Sequence, residues 1–442
     1  MPTPALQHPL RETILIVMFA ADWRYLLRIR VAFVGLRRSL LRVVLALVAA
    51  QAALVGLLAA LAEMRKRREG LKGVFPWRDI PEIELESGDD RLKLYPYGVK
   101  LYEAMLDEIE RAKEKVFLET FIWKGDALGR RFVSALERKA KEGIQVYVTF
   151  DGFANLVVPP TFKQFPKEIH TLHFRPFSTP PRALDPRNIF RDHRKILAVD
   201  GRVAFMGGFN IGSSYATDWR DTHLRIRGAE VHELENAFIA FWNAHKTEDL
   251  PFIEPVHERA WNPAVILHRN DPFMRIFPVR GMYLEAMDRA SSHIYLTHAY
   301  FIPDRAMRAG LLEAAKRGVD VQILLPRHSN HNTADWLARR HFGRLLRAGV
   351  RIFGYEQMIH SKTATIDGIW STVGTANIDR LSLLGNYEIN LEIYSRRLAA
   401  QMERMFELDK THAKEITLEE WERRPLSAKL AERALATLSP LV

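Results

Sequence analysis

An internal repeat constrains this chain more than any other feature. HRKILAVD at 193–200 returns as HSKTATID at 360–367, and each copy continues in the same way. GRVAFMGGFNIGSSY follows Asp200 and GIWSTVGTANIDRLS follows Asp367, so Gly207 matches Gly374 and Asn210 matches Asn377 at a constant offset of 167 residues. WRDTHLRI then aligns with NYEINLEI, pairing Asp221 with Glu388, and the ungapped repeat covers at least 29 residues.

The likeness extends upstream of both motifs. LYEAMLDEIERAKEKVFLETFIW reads as a helix followed by a strand, and GRRFVSALERKAKEGIQVYVTFDG repeats helix, glycine stop and strand. VRGMYLEAMDRASSHIYLTHAYFIP and AGLLEAAKRGVDVQILLPRHS give the second copy, with KEGIQVYV and KRGVDVQI in register. About 160 residues per half are therefore duplicated, and helix alternating with strand predicts α/β layers in each half. The expected architecture is two like halves, each a mixed β-sheet flanked by helices, related by a pseudo-twofold axis. We divide the chain into an N-terminal region (1–70), a first half (71–245) and a second half (246–442). EMRKRREGLKGVFPWRDIP (63–81) and NAHKTEDLPFIEPVHERAWNP (243–263) read as connections. THAKEITLEEWERRPLSAKLAERAL reads as a helical tail, and FRPFSTPPRALDPRNIF as a proline-rich surface loop leading into the first motif.

At 442 residues the chain can bury large cores, and with no cysteine it has neither disulfides nor a cysteine-ligated zinc site. Its net charge of +11 is uneven: residues 1–70 hold 11 Lys or Arg against 4 Asp or Glu, leaving only +4 for the rest. A balance of +4 argues against a basic groove for nucleic acid along the duplicated halves. VVLALVAAQAALVGLLAALA at 43–62 is 20 residues long and uncharged, about the length that crosses a hydrocarbon core. We read it as a membrane helix, transmembrane or re-entrant. Six basic residues flank it on each side, so charge alone does not orient it. Upstream, Arg24, Arg28, Arg38 and Arg42 would share one face of a continuous helix, a pattern suited to an anionic membrane surface.

The motif residues carry the chemistry. His and Lys two apart project to one side of an extended strand, so two such strands meeting across the axis would gather His193, Lys195, His360 and Lys362 in one pocket. Asn210 and Asn377 would lie at its floor. Two ammonium groups and two amides suit a phosphoryl group. One imidazole can then attack phosphorus to form a phosphohistidine while the other donates and later accepts the alcohol proton. The lysines neutralise charge, so this scheme calls for no metal and no cofactor. Asp221 and Glu388 are placed to hydrogen-bond the far ring nitrogens and fix the tautomers. Asp200 and Asp367 complete the catalytic motifs, at strand ends where support of the structure is the expected contribution.

Paired His-x-Lys-x4-Asp motifs, each followed by the same Gly and Asn, resemble the phospholipase D superfamily. Within it the chain is similar to bacterial cardiolipin synthases, on FMGGFNIGSSY, HAYFIPD, RGVDVQILLPRHS and VGTANIDRLSLLGNYEINLEI. The resemblance runs from about residue 85 to the C-terminus, and the family also carries hydrophobic N-terminal segments. It implies His193 as nucleophile and His360 as general acid and base, roles that symmetry would allow to be exchanged. Phosphate binding would fall to Lys195, Lys362, Asn210 and Asn377. Many superfamily members place Ser after the motif glycine, where this chain has Gly208 and Thr375. Both are candidate substrate contacts, and Gly208 lacks the hydroxyl.

The implied reaction is phosphatidyl transfer from one phosphatidylglycerol to another, yielding cardiolipin and glycerol, with phosphatidylethanolamine as an alternative donor. Delivery of the intermediate to water would make a hydrolytic phospholipase D instead. A superfamily nuclease is disfavoured by the charge distribution, and a scaffold with a disused site by the intact motifs. The expected partners are membrane phospholipids and an anionic membrane surface, with no nucleic acid. The expected location is the bacterial inner membrane, catalytic halves on the cytoplasmic side.

Overall fold

The computed structural model describes residues 78–424 except 88, 89, 157, 160, 161, 163, 175–189 and 260, together with the isolated residues 42, 53 and 429. The candidate span at 43–62 therefore lies outside the described residues, as do most of the proline-rich loop and the tail beyond 424. Among the described residues no helix is long and apolar enough to cross a membrane.

The first half contains, in chain order, β1 (Ile83–Ser87), β2 (Asp90–Tyr97), α1 (Gly98–Glu110), β3 (Lys115–Thr120), α2 (Ala127–Lys141), β4 (Gln145–Asp151) and β5 (Ile169–Phe174). It continues with β6 (Arg191–Asp192), β7 (Ile196–Val199), β8 (Val203–Gly207), α3 (Ser213–Thr217), β9 (Trp219–Arg227) and α4 (Glu230–His245). The second half opens with β10 (Val265–Arg269), α5 (Pro278–Arg289), β11 (His293–His298), α6 (Arg305–Lys316), β12 (Asp320–Pro326), α7 (Asn332–Arg347) and β13 (Arg351–Tyr355). There follow β14 (Met358–Ile359), β15 (Lys362–Ile366), β16 (Trp370–Gly374), α8 (Arg380–Leu384), β17 (Asn386–Tyr387), β18 (Ile389–Tyr394), α9 (Arg396–Thr411), β19 (Ala413–Glu415) and α10 (Leu418–Glu422).

Two sheets carry the same order over seven strands and differ at one edge each, where the first adds β1 and the second β19. The first runs β1-β2-β9-β8-β7-β3-β4-β5 and the second β10-β18-β16-β15-β11-β12-β13-β19, so the motif strands β7 and β15 occupy equivalent places. Each sheet is mixed: β3 pairs parallel with β4 and antiparallel with β7, as β11 does with β12 and β15. The helix boundaries repeat as well. Asp126 caps α2 by accepting from the Gly129 amide, and Asp304 caps α6 by accepting from the Met307 amide. Beyond these helices Gly143 (φ 85°) and Gly318 (φ 88°) take the left-handed conformation that lets the chain turn directly into the next strand.

One apolar core joins the halves. Met206, Leu224 and Ile226 of the first sheet share it with Val373, Leu391 and Ile393 of the second, and α4 and α9 add Phe238, Trp242, Leu398 and Met402. Each such fully buried aliphatic side chain stabilises the assembly by about 1.5–3 kcal/mol relative to an exposed one, which holds the two sheets as one body.

Three segments depart from the sequence reading. AKE at 413–415, expected in a helical tail, is instead strand β19, pairing antiparallel with β13 and covering a sheet edge. The first connection ends earlier than residue 81, because Ile80 is buried in the shared core and Asp79 receives bonds from Tyr97 and His412. The 243–263 connection is strapped to α4: Asn243 brackets Ile253 through both main-chain groups, and Trp242 donates to the Pro251 carbonyl.

Candidate active site

Each motif aspartate occupies a hairpin turn. Asp200 (φ 56°) and Gly201 (φ 61°) join β7 to β8, and Asp367 (φ 54°) and Gly368 (φ 65°) join β15 to β16. Two consecutive left-handed residues make the two-residue turn that Asp-Gly favours. The Asp200 carboxylate accepts from the amides of Lys113, Glu114 and Lys115 at 2.9–3.0 Å, tying the turn to the start of β3. Asp367 does the same with Ser291, Ser292 and His293 at 2.7–2.9 Å. At about 3.3 Å per residue the turn lies about 16 Å along the strand from the motif lysine. The aspartates counted with the catalytic motif are thus outside the pocket and hold the framework, because their amide partners are at the opposite strand ends.

At the other end the halves exchange strands. β6, just before His193, pairs parallel with β17: Arg191 faces Asn386 and Asp192 faces Tyr387. Likewise β14, just before His360, pairs parallel with the start of β9, Met358 with Trp219 and Ile359 with Arg220. The next residue continues each ladder, the His193 amide bonding the Tyr387 carbonyl and the His360 amide the Arg220 carbonyl. The acids Glu388 and Asp221 follow immediately. Consequently each histidine meets the carboxylate of the opposite half. His193 Nδ1 lies 3.0 Å from both Glu388 oxygens, and His360 Nδ1 lies 2.6 Å from Asp221 Oδ2.

Both carboxyls are held below their ordinary range. Burial pushes each upward, but for Asp221 the pull of Lys362 and His360 wins, and for Glu388 that of His193 and Lys195 wins. Ionised acids accept from Nδ1–H, which leaves each Nε2 as the free ring nitrogen. Burial also lowers His193, and pushes His360 down to about 3 with Lys362 adding repulsion. Lys195 is pushed down to about 7 and Lys362 to about 8, by burial in both cases and against the pull of the two acids. Lys195 Nζ donates to the His193 carbonyl at 2.5 Å, and Lys362 Nζ to the His360 carbonyl. The ladders explain why His193, Lys195 and His360 precede β7 and β15 while Lys362 opens β15: these residues bridge from one sheet to the other.

Asn210 and Asn377 are buried as well. Asn210 Oδ1 accepts from the Ile122 amide at 3.0 Å, and Asn377 Oδ1 has no hydrogen-bond partner in the protein. Thr375 is fully buried, its hydroxyl donating to Glu388 Oε2 at 2.5 Å and lying 3.2 Å from the Ile389 carbonyl. Gly208 has a different reason to be small, since a Cβ there would stand 2.1 Å from Asp221 Oδ1. The two positions expected to touch substrate instead serve the orienting acids, because a threonine supports the longer Glu388 whereas only glycine leaves room for the shorter Asp221.

Sequence reasoning passed over the pocket's aromatic walls. Phe121 stands edge-on to His193 at 4.7 Å between ring centroids, and Trp219 and Tyr300 flank His360 at 5.0 and 6.3 Å. It also missed Arg220, whose buried guanidinium pairs with Asp409 at 2.9 Å and reaches Thr222 across from Ser361. His223 and His298 lie fully buried, His223 sensing Lys195 and His298 opposite Lys362 in the β11–β15 register. Burial pushes both to about 3, so they stay neutral. Phe121 lies in LETFIW, His298 and Tyr300 in HAYFIPD, and Trp219, Arg220 and His223 in WRDTHLRI, segments that the sequence singles out without giving these side chains a role.

The model of the family described as cardiolipin synthase, PLD-like domain, matches residues 105–242 and 283–410. A cardiolipin synthase of Clostridium perfringens is 32% identical over 369 residues, covering 79% of this chain and 77% of that protein. The major cardiolipin synthase ClsA of Bacillus subtilis is 32% identical over 370 residues, covering 80% and 76%. Among solved structures, the phosphatidylserine synthase of Haemophilus influenzae Rd KW20 superposes with a TM-score of 0.60 at 14% identity, over 82% of this chain and 95% of that one. That likeness is one of fold.

Proposed function

The chain belongs to the cardiolipin synthase family of phospholipase D-like proteins, and from that premise we propose that it joins two phosphatidylglycerol molecules into cardiolipin and glycerol. It is a phosphatidyltransferase of that superfamily. The observation that carries the proposed route is the pair of histidine–carboxylate contacts made across the halves.

In the first step His193 Nε2 attacks the phosphorus of one phosphatidylglycerol, and the P–O bond to the headgroup glycerol breaks. His360, protonated at Nε2, gives its proton to the departing glycerol oxygen. In the second step a headgroup hydroxyl of another phosphatidylglycerol attacks the phosphohistidine, His360 takes its proton, and the P–N bond breaks. Lys195, Lys362, Asn210 and Asn377 bind the phosphoryl oxygens. Glu388 with Thr375, and Asp221 with the space left by Gly208, act as positioning residues that fix the two imidazoles.

A phosphodiester shifts the charge balance of the pocket by one negative charge beside Lys195, Lys362 and the two imidazoles, which favours proton uptake by that cluster, the source of the proton His360 gives to the departing glycerol. Residues 71–245 and 246–442 are the two halves of this one site. Relatives that make phospholipids place the protein at a membrane, and we assign the halves to the cytoplasmic face of a bacterial inner membrane.

Mass spectrometry of phosphatidylglycerol vesicles incubated with the protein tests the function. Cardiolipin that forms with wild type and not with His193→Ala is the expected result. Phosphatidic acid in its place would mean that water takes the intermediate, and cardiolipin made only when phosphatidylethanolamine is supplied would move the donor.

A further inference from the structure

Scattered exposed apolar residues are ordinary, but here they cluster. Among the described residues twelve large hydrophobic side chains stand exposed, and six of them (Phe153, Leu156, Phe273, Met274, Ile276 and Leu381) lie on three segments rooted in the active-site walls.

The first segment is the turn after β4. Asp151 accepts from the Ala154 amide within the turn and from the Asp192 amide beside His193, while Asn155 bonds the carbonyl of Phe121, the ring against His193. The second is a hairpin tip closed by reciprocal main-chain bonds between Asp271 and Ile276. Its base, Asn270, donates to the carbonyl of Glu388, the His193 partner. The tip is pre-shaped: Arg275 is left-handed (φ 56°), uncommon for a residue other than glycine, and Asp271 accepts from the Met274 amide at 3.0 Å. The third is α8, which carries Leu381 and is fastened to that hairpin by the Asn270 side chain donating to the Ser382 carbonyl. The β6–β17 ladder links all three, since Arg191 pairs with Asn386 just beyond α8 and lies 4.1 Å over the Phe153 ring.

We propose that these three segments form the face by which the catalytic unit rests on a phospholipid bilayer, its apolar side chains entering the headgroup layer beside the pocket mouth. This rests on the proposed phosphatidyl transfer, whose substrates lie in that layer. Charge fits the same partner: Arg275 and Arg380 are exposed on the second and third segments, a cationic complement to lipid phosphates. Six exposed apolar side chains carried on three short segments suit a deformable lipid surface, whereas a stable protein partner needs about 800 Å² of close-fitting area per side. The face is distinct from the hydrophobic segment at 43–62. That segment would tether the chain, while this face would set how the pocket meets the lipid.

The absence of cysteine allows a clean test in the full chain. Single variants Met274→Cys, Leu381→Cys and Lys113→Cys are labelled with an environment-sensitive fluorophore and reconstituted in phosphatidylglycerol vesicles containing a lipid with a nitroxide near its headgroup. Lys113 is the control, because it sits at the Asp200 turn, the opposite strand end. Blue shift and quenching at 274 and 381, with neither at 113, is the expected result; equal behaviour at all three positions overturns the proposal. A second measurement uses Met274→Glu with Leu381→Glu. Its transfer rate on vesicles should fall about tenfold further than its rate on dispersed short-chain phosphatidylglycerol, and an equal fall on both overturns the face. If wild type makes no cardiolipin yet the quenching pattern holds, the proposed function fails and the face stands.

Discussion

Replacing Gly208 with serine would put a side chain where Asp221 already stands. The new Cβ would lie 2.1 Å from Asp221 Oδ1 and 2.6 Å from its Cγ, while ordinary contact begins at 3.4 Å. The carboxylate must therefore withdraw by about 1.3 Å, a displacement of the size that costs a catalytic constellation about 100-fold in rate. Oδ2, which bonds His360 at 2.6 Å, would itself stand 2.6 Å from the new Cβ, so the atom that makes this bond has to move and the hydrogen-bond geometry is lost. His360 would then lose the partner that fixes its tautomer. We expect kcat for cardiolipin formation to drop about 100-fold, or about 2.7 kcal/mol, with thermal stability close to wild type because the shift is local. The second half supplies the rescue. There Thr375 and Glu388 coexist at the equivalent positions, joined by a 2.5 Å bond. Gly208→Thr together with Asp221→Glu should therefore recover at least about tenfold over Gly208→Thr alone, a coupling expected only of residues in contact. The assay is lipid mass spectrometry on phosphatidylglycerol vesicles with His193→Ala as the floor. Wild-type turnover in Gly208→Ser, or a folded double variant no better than the single, would refute the reasoning.

Other consequences can be measured separately. Lys195 at about 7 and Lys362 at about 8 are partly deprotonated in the empty pocket at pH 8, and a bound anion raises both. Calorimetric titration with tungstate at pH 8, in buffers of different ionisation enthalpy, should show uptake of about one proton, and affinity should weaken as pH rises from 7 to 9; no uptake would remove the charge-balance account. Asp367→Ala deletes three amide acceptor contacts in a left-handed turn and should cost about 2–4 kcal/mol in denaturant unfolding, while kcat per folded molecule stays within about threefold. A large fall in kcat at unchanged stability would return Asp367 to the pocket. Arg220→Met strands the buried Asp409 carboxylate and should destabilise the protein by about 3–5 kcal/mol, whereas pairing it with Asp409→Leu should restore most of that. No recovery would mean the ion pair is not what Arg220 contributes.

The duplicated halves were legible because helix period, glycine stop and strand recur in order, and that order maps onto two sheets of one topology. Identical motifs also made the pocket residues readable. What the sequence hid was which acid serves which histidine. Asp221 and His193 share one half, as do Glu388 and His360, so proximity in sequence suggests the wrong partners; two strands of two residues each reverse them. The aspartate-glycine turns were readable in principle, since Asp-Gly between two apolar runs is a hairpin signal that explains Asp200 and Asp367 without substrate. Gly208 was read as a missing hydroxyl. Its meaning is the space it leaves, and a one-letter string does not carry distance. AKE has no strand pattern of its own and is recruited by the edge of β13.

The crossed ladders bear on ancestry. A half like either of these, on its own, would hold a histidine without its acid and an acid without its histidine, and only as a symmetric pair could it have assembled a working centre. Fusion of two copies would have released them from identity. One could then keep a short acid beside a glycine, and the other a long acid braced by a threonine, with each change inherited in the half that carries it but felt by the imidazole of its neighbour. Division of labour between two once equivalent histidines is the outcome such a history permits.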